Sequence, residues 1–163
     1  MERSWHSELA EIGRRYRTNG ANSKGKSQRE KMSNEIIFPQ TVLLYQSVKG
    51  VENARVAFGR LEATLASLRG RKFYGYFNPE TGEYRACVAK VTGDPDSVGQ
   101  AWALPAGKYV YEKITDWQMK LATIAPTVEK LIKEHRSQVD WTRPILEYYR
   151  STVELRVMVP ISE

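Results

Sequence analysis

Cysteine is nearly absent from this 163-residue chain: Cys87 is its only copy, which excludes an internal disulfide and a zinc ribbon. Histidine is almost as scarce. His6 and His135, the second on the apolar stripe of an expected helix, cannot build a metal site with one cysteine. The same position disfavours a Ser-His-Asp triad. There is no Gly-rich phosphate loop either, so no metal and no cofactor is expected. No apolar run approaches the ~20 residues that span a bilayer. The opening Met1-Glu2-Arg3-Ser4-Trp5-His6 lacks the apolar core of a signal peptide. Together these absences lead us to expect a reducing, cytoplasmic setting without membrane association.

What is abundant is positive charge, and it is unevenly placed. The formal net charge is +6 and the sequence pI about 9.4. Residues 1–33 carry eight Lys/Arg against four Asp/Glu, whereas residues 34–163 carry 17 against 15. A helix over 7–17, with Leu9, Ile12 and Tyr16 on one stripe, precedes a polar run without apolar periodicity. This segment reads either as a nucleic-acid-binding arm or as a solvated, flexible tail. The tail is preferred, because no aromatic residue interrupts the basic stretch to stack on bases. Direct nucleic-acid binding is therefore not expected, and the functional domain is taken as 34–163.

That domain reads as one pattern written twice, over about 36–92 and 104–162. The first half predicts a strand over 41–48 and a helix over 52–68 with Ala54, Phe58, Leu61, Leu65 and Leu68 on one face. Gly70 ends that helix. Strands over 72–77 and 84–91 follow, joined by the turn-forming Asn78 to Gly82. The second half predicts a strand over 108–115 and a helix marked by Leu121, Ile124, Val128, Leu131 and His135. Pro126 lies in that helix's first turn or kinks it. Strands over 144–149 and 153–160 close the chain. Residues 71–77 overlie 143–149 at a constant offset, and Pro39 and Tyr45 overlie Pro105 and Tyr111. The expected fold is α+β: duplicated βαββ units forming one antiparallel sheet, two helices packed on one face, and a ligand groove between the halves.

One residue breaks the repeat. Strand alternation puts Ile145, Glu147 and Tyr149 on one face and Leu146 and Tyr148 on the other. Glu147 has Gly75 as its counterpart, and a mid-strand carboxylate is costly to bury without a partner. Gly75 removes bulk where a ligand could approach. Tyr74, Tyr76, Tyr109, Tyr111, Tyr148, Tyr149, Trp102 and Trp141 are concentrated in the strands and the lead-in to the second half. Aromatic faces around one carboxylate suit a flat, apolar, cationic ligand. Alternatively Glu147 pairs with Arg143, Arg71 or Lys72 and the tyrosines fill the core. Cys87, in a strand, is expected to be a buried, inert thiol.

The motifs Leu104-Pro105-Ala106-Gly107-Lys108-Tyr109, Arg143-Pro144-Ile145-Leu146-Glu147-Tyr148-Tyr149 and Val157-Met158-Val159-Pro160-Ile161, in this order with a helix between the first two, resemble the GyrI-like small-molecule-binding family. Its members serve as effector-binding domains of AraC- and MerR-type regulators, and with the repeat the resemblance spans about 36–162. It departs at Asp116-Trp117, where many members carry glycine, so a loop bordering the groove is expected to differ. The resemblance implies binding of apolar or cationic small molecules between the halves, for sensing or sequestering xenobiotics. Glu147 and Tyr149 would contact the ligand, with Tyr109 or Tyr111 from the Pro-Ala-Gly strand. Added to the residues read from the strands, the candidate ligand-binding set is Glu147, Tyr149, Tyr109, Tyr111, Tyr74, Tyr76, Gly75 and Trp102. The resemblance also implies two alternatives. One is a hydrolase that opens cyclopropane-type DNA-alkylating natural products, with Glu147 and Tyr111 as catalytic residues; the other is an inhibitor that binds DNA gyrase. A DNA-binding regulator is not expected, since residues 1–33 cannot hold paired DNA-binding helices.

Overall fold

Runs of alternating apolar residues lie flat as strands, and two amphipathic stretches between them wind into helices. The computed structural model describes residues 34–78 and 80–162; the helix and tail expected over 1–33 lie outside them. In chain order the elements are β1 (Asn34–Phe38), β2 (Thr41–Lys49), α1 (Ala54–Thr64), β3 (Phe73–Phe77), β4 (Glu83–Ala89), β5 (Gln100–Leu104), β6 (Gly107–Thr115), α2 (Ile124–Glu134), β7 (Leu146–Tyr149) and β8 (Glu154–Ile161). Among the described residues no helix is long and apolar enough to cross a membrane.

Local chemistry sets the boundaries. In α2, Ile124, Val128, Leu131 and Ile132 are buried, and Pro126 sits in the first turn, where its missing N–H costs nothing. The first helix stops at Thr64 rather than near 68. The Thr64 hydroxyl donates to the Leu61 carbonyl at 2.6 Å, and Ser67 Oγ accepts the Arg69 N–H at 3.2 Å. Such side-chain bonds offer the backbone an alternative to a further helical turn. Leu68, expected on the buried stripe, is consequently exposed. The β3–β4 turn closes through the Gly82 N–H donating to the Asn78 carbonyl at 2.9 Å, with Gly82 at φ +76°.

The strands form one curled antiparallel sheet in the order β1-β6-β8-β7-β3-β4-β2-β5. Exchanging the two halves reverses this order onto itself, so a pseudo-two-fold axis runs between β7 and β3. Two edge strands lie beyond the expected βαββ units. Each half begins with a strand of its own, β1 or β5, that pairs with the other half: β1 with β6, and β5 with β2.

Both helices cover the same face. Helix α1 packs with Leu44, Tyr84, Ala86 and Val88, and α2 with Val110, Leu155, Val157 and Val159. The opposite face curls around a third cluster that includes Phe38, Tyr45, Tyr74, Tyr109, Leu146 and Met158. The curl brings Phe38 of edge strand β1 to 5.8 Å from Tyr74 of central strand β3, ring centre to ring centre.

Candidate functional site

Glu147 lies on the pseudo-two-fold axis. Its register partner across β7 and β3 is Gly75, which is also its own counterpart in the other half. A position on such an axis meets its duplicate directly, and two glutamates there would oppose like charges across a cross-strand pair. Glycine in one copy removes that conflict and leaves room. A Cβ on Gly75 would collide with the Tyr84 hydroxyl and stand 3.0 Å from Glu147 Oε1 and 3.4 Å from Tyr149 Cε2.

The space holds a small polar cluster inside an aromatic one. The Tyr149 hydroxyl donates to Glu147 Oε2 at 2.8 Å, and the buried Tyr84 hydroxyl stands beside them over Gly75. Burial first, and then the charge of Glu147, hold both phenols well above their ordinary pKa of 10, so they remain protonated donors. Phe58 of α1 meets Tyr149 edge-on at 5.4 Å and Tyr84 at 6.2 Å. From the other half, Trp117 meets Tyr149 at 5.0 Å and is anchored by its indole N–H on the Ser151 carbonyl at 3.1 Å. Trp117 owes its place to Asp116, which adopts a left-handed turn at φ 55°. Glycine or a short polar residue fits that conformation best, so Asp116 can turn the chain and carry the Trp117 indole to the cluster.

A cleft of about 1670 Å³ opens beside this cluster. Between α1 and the 117–121 segment Phe58, Phe73, Tyr84, Trp117 and Tyr149 line it, and it continues past the ends of β3 and β7 to Phe38, Tyr74 and Tyr148 on the far face. Glu147, only 4% exposed, does not line the cleft but stands behind the two phenols. The carboxylate is thus poised rather than displayed.

Of the residues singled out in the sequence, Glu147, Gly75 and Tyr149 come together on the helix-covered face. Tyr74, Tyr76, Tyr109, Tyr111 and Trp102 stand on the other face, with the sheet between them and Glu147. Several already face cations of the protein itself. Arg85 lies 4.2 Å from the Tyr45 ring and 4.7 Å from the Trp102 ring, and Arg156 lies 4.8 Å from the Tyr111 ring. Tyr109 is buried beneath Arg143, 5.0 Å from its ring centre, and burial pushes its phenol up to about 12.

Two of the suggested ion-pair partners of Glu147 are engaged elsewhere. Arg71 forms a bidentate pair with Asp94, at 2.7 and 3.0 Å. Arg143 binds Asp140 at 2.9 Å and reaches the Lys108 and Ile161 carbonyls at 3.0 and 2.7 Å, passing over Gly107, where a Cβ would collide with its guanidinium. The glycine of the Pro-Ala-Gly motif therefore admits a structural clamp. Lys72 lines the cleft at its far end.

Phe58, Tyr84 and Trp117 complete the cluster and were not singled out as site residues. Tyr84 alternates in phase with Ala86 and Val88, and Phe58 shares a stripe with Leu61. Both therefore read as core, and only the packing of α1 over β3 and β4 reveals them as neighbours of Glu147.

No family model matches the sequence, and no characterised protein matches it in sequence. Among solved structures the fold recurs in SAV2435 bound to tetraphenylphosphonium, at TM-score 0.54 and 14% identity over 80% of this chain and 93% of that one. It recurs in the EcmrR C-terminal domain, at TM-score 0.54 and 9% identity over 81% and 99%. A hydrolase from Listeria innocua matches at TM-score 0.50 and 11% identity over 83% and 94%. At these identities the likeness is one of fold.

Proposed function

We propose that this chain is a GyrI-like small-molecule-binding domain. It takes apolar, cationic compounds into the cleft between α1 and the 117–121 segment and so senses or sequesters xenobiotics. The observation that carries the reading is Glu147: a buried carboxylate on the symmetry axis, screened from the cleft by the hydroxyls of Tyr84 and Tyr149 and flanked by Phe58 and Trp117. Aromatic faces attract a flat cation through their quadrupoles, and a desolvated carboxylate supplies the countercharge. In this reading the phenols satisfy the carboxylate while the cleft is empty and turn aside to admit the cation. A neutral apolar compound would gain the ring contacts but not the charge. The fold shared with a tetraphenylphosphonium-bound protein supports the reading.

Titration with tetraphenylphosphonium, followed by tryptophan fluorescence because Trp117 borders the cleft, tests it. Saturable quenching is expected, with Glu147→Gln weakening affinity at least about tenfold, or about 1.4 kcal/mol. Absence of saturable binding by the wild type, or equal affinity of the variant, overturns it.

A second reading, hydrolysis of an electrophilic small molecule in the same cleft, draws on the 2.8 Å bond between Tyr149 and Glu147 and on the fold shared with a hydrolase. Glu147 would take a proton from water, with Tyr84 and Tyr149 rather than the far-side Tyr111 as hydroxyl donors to a developing oxyanion. Mass spectrometry of a cyclopropane-containing alkylator after incubation decides between the two. Product formed by the wild type but not by Glu147→Gln favours hydrolysis, and intact compound favours binding alone.

A further inference from the structure

The two halves differ on the face away from the helices, and the difference marks a second ligand compartment. Arg85 on β4 and Arg156 on β8 are counterparts, each two residues past a glutamate to which it donates Nε–H. Arg85 reaches Glu83 at 2.9 Å and Arg156 reaches Glu154 at 3.0 Å. In the first half the guanidinium is enclosed by Tyr45, Trp102 and Tyr76, at 4.2, 4.7 and 5.6 Å. Ser47, opposite Arg85 in register, donates to Glu83 at 2.8 Å. One cation meets one acid, and aromatic rings fill the space.

In the second half the same positions are occupied differently. Ile36 stands where the repeat puts Trp102, and Lys113, opposite Arg156 in register, stands where it puts Ser47. Tyr148, the counterpart of Tyr76, stacks instead on Tyr74 at 4.7 Å, and the cation–ring contact left to Arg156 is Tyr111 at 4.8 Å. The volume that Trp102 fills in one half is therefore open in the other, as the far-side arm of the cleft lined by Ile36, Phe38, Tyr148 and Arg156. Charge is unbalanced there too. Glu154 is shared between Arg156 and Arg150, the latter at 3.7 Å, and Lys72 joins Arg150 along the lining. The Arg156 side chain is only 10% exposed, and among the described residues its two Nη nitrogens have no hydrogen-bond partner.

A guanidinium so far withdrawn from water loses much of its hydration, and an anion restores it. Its free edge offers two parallel N–H donors, which match a carboxylate. We propose that this compartment binds a flat aromatic carboxylate. The anionic head sits on the Arg156 Nη edge near Arg150 and Lys72, and the ring lies against Ile36, Phe38 and Tyr148. The site is separated by the sheet from Glu147 and selects the opposite charge, so it stands independently of the function proposed above.

The test is calorimetric titration of the full chain with 2-naphthoate, with neutral 2-naphthylmethanol as control. The naphthoate is expected to bind at least tenfold more tightly than the alcohol and to weaken as salt is raised. Ile36→Trp, which restores the ring found in the other half, should lower naphthoate affinity at least tenfold, and Arg156→Gln should do the same. Melting curves establish that each variant is folded. Arg150→Ala, on an exposed side chain, should cost about threefold through lost screening-sensitive attraction, and it keeps the test readable if both buried variants unfold. Failure of the wild type to bind naphthoate, equal affinity for the alcohol, or folded variants that bind like the wild type overturns the proposal.

Discussion

Adding one methyl group at Gly75 should be among the more damaging small changes in this domain. The backbone there is extended strand, so alanine by itself would stabilise by about 0.5–1 kcal/mol through reduced unfolded-state freedom. The surroundings reverse the sign. The new Cβ collides with the Tyr84 hydroxyl and crowds Glu147 Oε1 at 3.0 Å. Tyr84 cannot swing clear, because its side chain is fully buried against Phe58 and its hydroxyl belongs to the cluster on Glu147. Overpacking of this kind costs about 1–3 kcal/mol, and disturbing the buried bond between Tyr149 and Glu147, both crowded by the new Cβ, costs about 1–3 kcal/mol more. A net destabilisation of about 2–3 kcal/mol follows, or a fall in Tm of roughly 6–12 °C for a domain of this size. Thermal and urea denaturation of Gly75→Ala measure it. Combining it with Tyr84→Phe removes the colliding oxygen, so the double variant should be at least about 1 kcal/mol more stable than the two single losses predict. A neutral or stabilising Gly75→Ala, or strict additivity with Tyr84→Phe, would refute the account of the site as a filled polar pocket.

Two further outcomes can be read without a ligand. The Val91 N–H bond, reinforced by Arg71, holds the Asp94 carboxyl below its ordinary value. A carboxyl depressed by folding contributes stability above its unfolded pKa and loses it as pH falls through the folded one. Asp94→Asn should therefore be less stable than the wild type at pH 7, with the gap closing as denaturation is measured toward pH 2. Cys87 is buried, and burial raises its thiol far above the ordinary range. It should remain unmodified by a thiol reagent in the folded protein and react only at the unfolding rate; rapid native-state labelling would contradict its position in β4.

Much of this arrangement is legible in the amino-acid sequence. Apolar alternation located the strands of the βαββ units to within a few residues, and the offset between Arg71 and Arg143 aligned the halves closely enough to set Glu147 against Gly75. Three things escaped. Strands β1 and β5 are short edges with mostly exposed residues, and each is held by a partner in the other half, which no local pattern records. The early end of α1 depends on hydroxyl bonds from Thr64 and Ser67 that periodicity does not see. Most consequential is the division of the aromatics. Alternation separates Tyr148 from Tyr149, but which residues of other strands share a face depends on register, and that is a tertiary quantity. Tyr109, Tyr111 and Trp102 therefore looked like companions of Glu147, while Tyr84 and Phe58 looked like ordinary core.

The crossed edge strands also bear on how the chain reaches this state. Pairs such as Phe38 with Gly107 and Asn34 with Tyr111 join positions about 70 residues apart, so the loop-closure entropy of nearly half the chain is lost before they form. Each repeat ends up clasped by a strand from its twin. A protein cut in the linker between them would leave two fragments, each missing one edge and carrying a loose strand suited to the other. Such fragments would find each other by complementation, and duplication has here produced a fastening rather than two modules in tandem.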